Sequence, residues 1–171
     1  MLRVQLRTLL CALALVPLAA CGDGKEGASF SINSSDSDGN ASGASIDGTG
    51  EATIDTPFFK GKVTLPKLKL NADNFDMNGV HLYPGSTISG MNVDVKDRPG
   101  TGNDGRVRVT FASPAAPATV RDWFKRKLNA AGFKLSDKGN GLTGTTDENK
   151  PFTLELTPDG ANKSNGVILI E

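Results

Sequence analysis

The sequence predicts an α+β fold: an antiparallel sheet covered on one face by a single helix, preceded by an N-terminal β segment and a disordered tether. Three observations lead there. Only one stretch, about 115–131, carries apolar residues at helical spacing. Short runs alternating with period two, separated by Gly, Pro, Asn and Asp, lie on both sides of it. The segment from Gly22 to Gly50 is almost wholly Gly, Ser, Asp, Asn and Ala, with Phe30, Ile32 and Ile46 as its only large apolar residues. So little apolar surface does not offset the conformational entropy lost on ordering, which makes this stretch a tether. As a flexible coil it would span about 30 Å.

The resulting organisation is a removable leader over 1–20, a tether over 21–50, an N-terminal β segment over 51–82 and an α+β domain over 83–171. In the β segment, Lys60-Gly61-Lys62-Val63-Thr64-Leu65 alternates, Pro66 interrupts, and Lys67-Leu68-Lys69-Leu70 resumes. One face of it is apolar. The other carries Lys60, Lys62, Lys67 and Lys69, either as a strip that attracts phosphates and other polyanions or as a solvated face that discourages edge-to-edge aggregation. Asn71 to Gly85 is rich in turn residues.

Strands are expected over Thr87–Val95 and Arg106–Ala112, joined by a loop through Pro99-Gly100. The helix follows from about Ala115 to Ala131, ended by Gly132 as a C-terminal cap. Short strands near Phe133–Leu135, Leu142–Thr146, Phe152–Thr157 and Val167–Ile170 complete the chain, with Gly139-Asn140-Gly141 as a turn. At 100° per residue Val120, Trp123, Phe124, Leu128 and Ala131 share a stripe, so the single Trp belongs to the core. Lys127 falls inside that stripe. Near the helix end its stem can snorkel to water, with its charge complementing the helix dipole.

Composition excludes several classes of function. The 19 basic and 19 acidic residues cancel, and the stretch from Glu51 to Glu171 carries sixteen basic against fourteen acidic residues. That balance does not mark a nucleic-acid binder. No phosphate-cradling loop, Gly-x-Ser-x-Gly or locally paired carboxylates are present, so no catalytic residue is assigned. Asp36-Ser37-Asp38-Gly39-Asn40 starts like a calcium loop, yet Ala41 and Asp47 stand where an EF-hand has Gly and Glu. His81 is the only histidine. Even with Asp73 and Asp76 nearby in sequence it makes a poor zinc site, so neither metal nor cofactor is expected.

The first twenty residues have the parts of an export signal: Arg3 and Arg7, an apolar stretch from Leu9 to Leu18, then small residues. That apolar stretch is too short to span a bilayer stably. It ends in Leu18-Ala19-Ala20-Cys21, which resembles the lipobox of bacterial lipoproteins. The resemblance implies cleavage between Ala20 and Cys21, a diacylglycerol thioether on the Cys21 sulfur, and a membrane partner held through those acyl chains. Two or three chains anchor firmly where one holds only reversibly. Gly22, in place of the Asp that retains such proteins in the inner membrane, implies outer-membrane placement in a Gram-negative cell. After processing, Cys21 would be the only cysteine, leaving no disulfide within the mature chain.

The run from Tyr83-Pro84-Gly85-Ser86 through Val107-Arg108-Val109-Thr110-Phe111 to Val120-Arg121-Asp122-Trp123-Phe124, Leu128 and Ala131-Gly132-Phe133 resembles a sheet-plus-helix module of secreted and lipid-anchored bacterial proteins. It implies a helix on one face of an antiparallel sheet and transfers no catalytic residues. Two functions are consistent with these features. One is a non-enzymatic envelope module that binds a partner protein or organises the envelope. The other is a carrier or binder of a small or polyanionic ligand, held at Lys60, Lys62, Lys67 and Lys69 or in a pocket between helix and sheet.

Overall fold

The computed structural model describes residues 27–35, 40–57, 59–65, 70–98 and 102–171. Its elements are β1 (Ser29–Ser35), β2 (Ala41–Ile46), β3 (Glu51–Thr56), β4 (Phe59–Thr64), β5 (Leu70–Asn71), a 3-10 turn (Ala72–Asn74), β6 (Thr87–Arg98), β7 (Gly102–Ser113), α1 (Pro117–Ala130), β8 (Lys134–Lys138), β9 (Gly141–Thr145), β10 (Pro151–Pro158) and β11 (Ser164–Ile170). One sheet holds every strand, in the order β4-β3-β2-β1-β6-β7-β11-β10-β9-β8, with β5 pairing beside β6. The α+β expectation stands, with two corrections. The sheet is mixed, because β1 runs parallel to β6 while the other pairs are antiparallel.

The expected tether is the larger correction. Within 21–50, Ser29–Ser35 and Ala41–Ile46 form β1 and β2. The physical reason is an alternation hidden by the polar composition: Phe30 and Ile32, and opposite them Ile46 and Ala44, point to one face. In the neighbouring strand the same face carries Met91 and Val93. Small Ser, Gly and Asn residues occupy the other positions, and the ladder satisfies the backbone that water would otherwise serve. Ala28 is buried, and the backbone at Gly27 approaches Gly48 so closely that a side-chain carbon there would sit 2.4 Å from its carbonyl oxygen.

Residues on either side of the expected boundary at 82/83 share one core. β5 pairs with β6, and Ala72, Phe75, Met77, Val80 and Leu82 are buried together with Ile88, Val109, Phe111, Phe124 and Leu154. This segment lies alongside α1: Asn78 donates to the Ala131 carbonyl at 3.0 Å and to Asp147 at 3.0 Å, and Tyr83 meets Trp123 edge to face. What the sequence offers as turns is therefore a second cover for the sheet.

The helix begins at Pro117, whose fixed φ suits the first turn. It ends in a Schellman motif. Gly132, at φ 94°, donates to the Asn129 carbonyl, and Phe133 donates to that of Leu128. Val120, Phe124 and Leu128 are fully buried; Trp123 is half-buried, packed edge-on against Phe124. Lys127 is exposed, as the snorkelling geometry requires. Lys125 reaches Asp137 of β8 at 2.8 Å and clips the helix to the sheet edge. That hydrogen bond holds the Asp137 carboxyl below the usual carboxylate range.

Candidate binding surface

Cross-strand partners share a face of a sheet, so the register identifies what each face presents. One row reads Val63, Ala52, Ile46, Phe30, Met91, Val109, Ile168, Leu154 and Leu142. The next reads Gly61, Ile54, Ala44, Ile32, Val93, Val107, Ile170 and Phe152. The first row is apolar from β4 to β9 and meets Asp137 on β8; the second runs on through Gly144 to Leu135. Toward β8 that face is sealed by α1 and the 72–86 segment. Toward β4 it is open.

The large hydrophobic residues exposed among the described residues are Ile32, Ile54, Phe59, Val63 and Leu65, all at this open end. Alternation along β4 places Phe59, Gly61 and Val63 on the same side as Ile32 and Ile54, and Leu65 continues that parity. Phe59, at 59 % exposure, folds its ring over Gly61, whose lack of a side chain makes room for it. An exposed apolar cluster of this kind marks an interaction surface far more often than isolated exposed residues do. Alternation near Phe30-Ser31-Ile32 and Ala52-Thr53-Ile54 was the available signal for it, outweighed in the sequence by the surrounding Ser, Gly and Asp.

The opposite face is polar and internally paired. Lys60 meets Asp55 at 3.0 Å and Lys62 meets Glu51 at 2.7 Å, both across the β3–β4 pair. The bond to Glu51 raises the Lys62 ammonium above its usual range. Farther along the same face Asn33 donates to Asp94 and Asn92 donates to Ser31. The described half of the lysine strip thus carries its own counter-charges; Lys67 and Lys69 lie outside the described residues. A shallow hollow of about 550 Å³ at the β1–β2 end is lined by Asn33, Ser35, Ser42, Asp55 and Lys60 among others. The helix–sheet interface itself is filled by Val120, Phe124, Leu128, Leu142 and Leu154.

Cys21, Ala20, Asp36 and Asp38 also lie outside the described residues. His81 and Asp76 come together, with Nε2 3.8 Å from the carboxylate. The other ring nitrogen, Nδ1, sits 3.0 Å from the Phe75 carbonyl, an acceptor only, so Nδ1 carries a proton. Asp73 does not join them: among the described residues no three His, Cys, Asp or Glu side chains converge as a metal site. Asp47 organises the β2–β3 turn, accepting from the Thr49 amide, the Thr49 hydroxyl and the Glu51 amide. The Thr49 hydroxyl, then the Glu51 amide, hold its carboxyl below the usual range. Among the described residues no helix is long and apolar enough to cross a membrane.

No family model matches the chain, and no curated protein or solved structure is measurably similar to it.

Proposed function

We propose that the chain is a bacterial envelope lipoprotein, acylated at Cys21 and held in the outer membrane, that works as a non-enzymatic binding or structural module. The observation that carries this reading is the sequence Leu18-Ala19-Ala20-Cys21 behind a short basic and apolar leader. A thioether needs a sulfur nucleophile, and cysteine is the residue that supplies one. The open apolar end of the sheet is consistent with a binding role. The alternative, a polyanion site at Lys60, Lys62, Lys67 and Lys69, draws less support, because Lys60 and Lys62 are each engaged by an acid.

The test is intact mass and membrane fractionation of the wild type beside Cys21→Ser in a Gram-negative host. The expected result is acyl mass and outer-membrane sedimentation for the wild type, both lost in the variant. An unmodified, soluble wild type would refute the reading.

A further inference from the structure

We infer that the open apolar face of β1–β4 docks on the lipid surface that holds the anchor. This rests on acylation of Cys21. The described chain emerges at Gly27, against the turn that joins β2 to β3. Only Gly22 to Glu26 separate that point from Cys21. At about 3.3–3.6 Å per step, the six steps from Cys21 to Gly27 reach at most about 22 Å even when fully drawn out. Strands of six or seven residues, such as β1 to β4, are themselves about 20 Å long. The leash is thus about as long as the face beside which it starts, and it keeps the near end of that face within about one strand length of the acyl chains.

The two sides of the four strands differ as an interfacial element requires. Ile32, Ile54, Phe59, Val63 and Leu65 are exposed toward one side. Lys60 with Asp55 and Lys62 with Glu51 are paired on the other, hydrated side. Lying down with the apolar side toward the headgroup and acyl boundary removes the exposed side chains from water. It leaves every charged group of β3 and β4 in water. A flat orientation also keeps the outer edge of β4, which no strand of the described residues pairs, at headgroup level, where water still reaches it. Amphipathic helices lying on a bilayer sink only about 5–10 Å into the boundary, and a flat sheet face resting there would sit at a similar depth.

The experiment uses the full acylated chain in phosphatidylethanolamine–phosphatidylglycerol vesicles, with and without bromine on the lipid acyl chains as a contact quencher. Phe59→Trp and Val63→Trp place reporters on the apolar side, and Lys62→Trp places one on the other side of the same strand. The wild type supplies the Trp123 background, and intact mass is read on every sample. Bromination should reduce the emission added by Phe59→Trp and Val63→Trp about twofold or more, as burial by about 5–10 Å implies, and leave that of Lys62→Trp unchanged. Val63→Trp keeps the test open if Phe59→Trp disturbs β4. Absent or equal quenching on the two sides of an acylated chain overturns the docking and leaves the anchoring intact. Chain-to-chain crosslinks at the Val63 side would then identify a second copy as the occupant. Absence of acyl mass removes the leash and overturns both.

Discussion

Gly166 on β11 faces Phe111 on β7, and the ring lies directly over the glycine. A side-chain carbon at 166 would stand 2.2 Å from Cζ and 2.4 Å from Cε1 of that ring. Comfortable carbon–carbon contact needs about 3.5–4.0 Å. The ring has nowhere to retreat, since it is 1 % exposed and capped by Phe124 with centroids 6.0 Å apart. Gly166→Ala must therefore push Phe111 out of its rotamer or separate β11 from α1, at the usual overpacking cost of about 1–3 kcal/mol. For a chain of this size that lowers Tm by about 3–10 °C. Far-UV circular dichroism on heating, with urea titration as a second measure, reads the loss. A double-mutant cycle with Phe111→Leu locates it: the smaller side chain makes room, so Gly166→Ala should cost at least about 1 kcal/mol less in that background. Unaltered unfolding of Gly166→Ala, or additive effects in the cycle, would refute the packing argument.

Two further outcomes follow from polar groups. Ser113 Oγ is buried and has no hydrogen-bond partner among the described residues, so Ser113→Ala should leave stability unchanged or raise it by up to about 1 kcal/mol, whereas a loss beyond that in urea titration would mean the hydroxyl is bonded. Asp47 and Asp137 both have depressed folded-state pKa values, so their stabilising contribution is complete above the unfolded carboxylate pKa and is lost as the pH falls through the folded one. Acid titration of Tm should accordingly be shallower in Asp47→Ala than in the wild type, and parallel curves would show that the turn does not depend on the carboxylate.

Much of the C-terminal half is legible in the sequence, because local signals and packing agree there. The helix stripe, Pro117, Gly132 and the alternation in Phe152-Thr153-Leu154-Glu155-Leu156 each select the structure that forms. The N-terminal third is less legible. Phe30 and Ile32 contribute too little apolar surface to specify a strand alone, and β1 gains its place from pairing with a strand some sixty residues away, which no local window contains. The segment from Ala72 to Ser86 reads as turns because its buried Phe75, Met77, Val80 and Leu82 follow neither a helical nor a strand period. The exposed apolar surface is half visible: the apolar side of β4 is plain in the alternation, but its continuity with Ile32 and Ile54 emerges only from the register.

The parallel junction of β1 with β6 also sets an order of assembly. Asn33 meets Asp94 across 61 residues, whereas β6 with β7, β8 with β9 and β10 with β11 are antiparallel neighbours separated by only a few residues in sequence. Closing the long loop costs more chain entropy than closing any hairpin, and distant pairings of this kind slow folding. A chain synthesised from its N-terminus delivers β1 to β4 first, yet the strand they must join arrives later. Until β6 is in place these strands form at most a small hairpin ladder with its apolar side bare, so the interval between their emergence and that of β6 is when the chain is most exposed to aggregation.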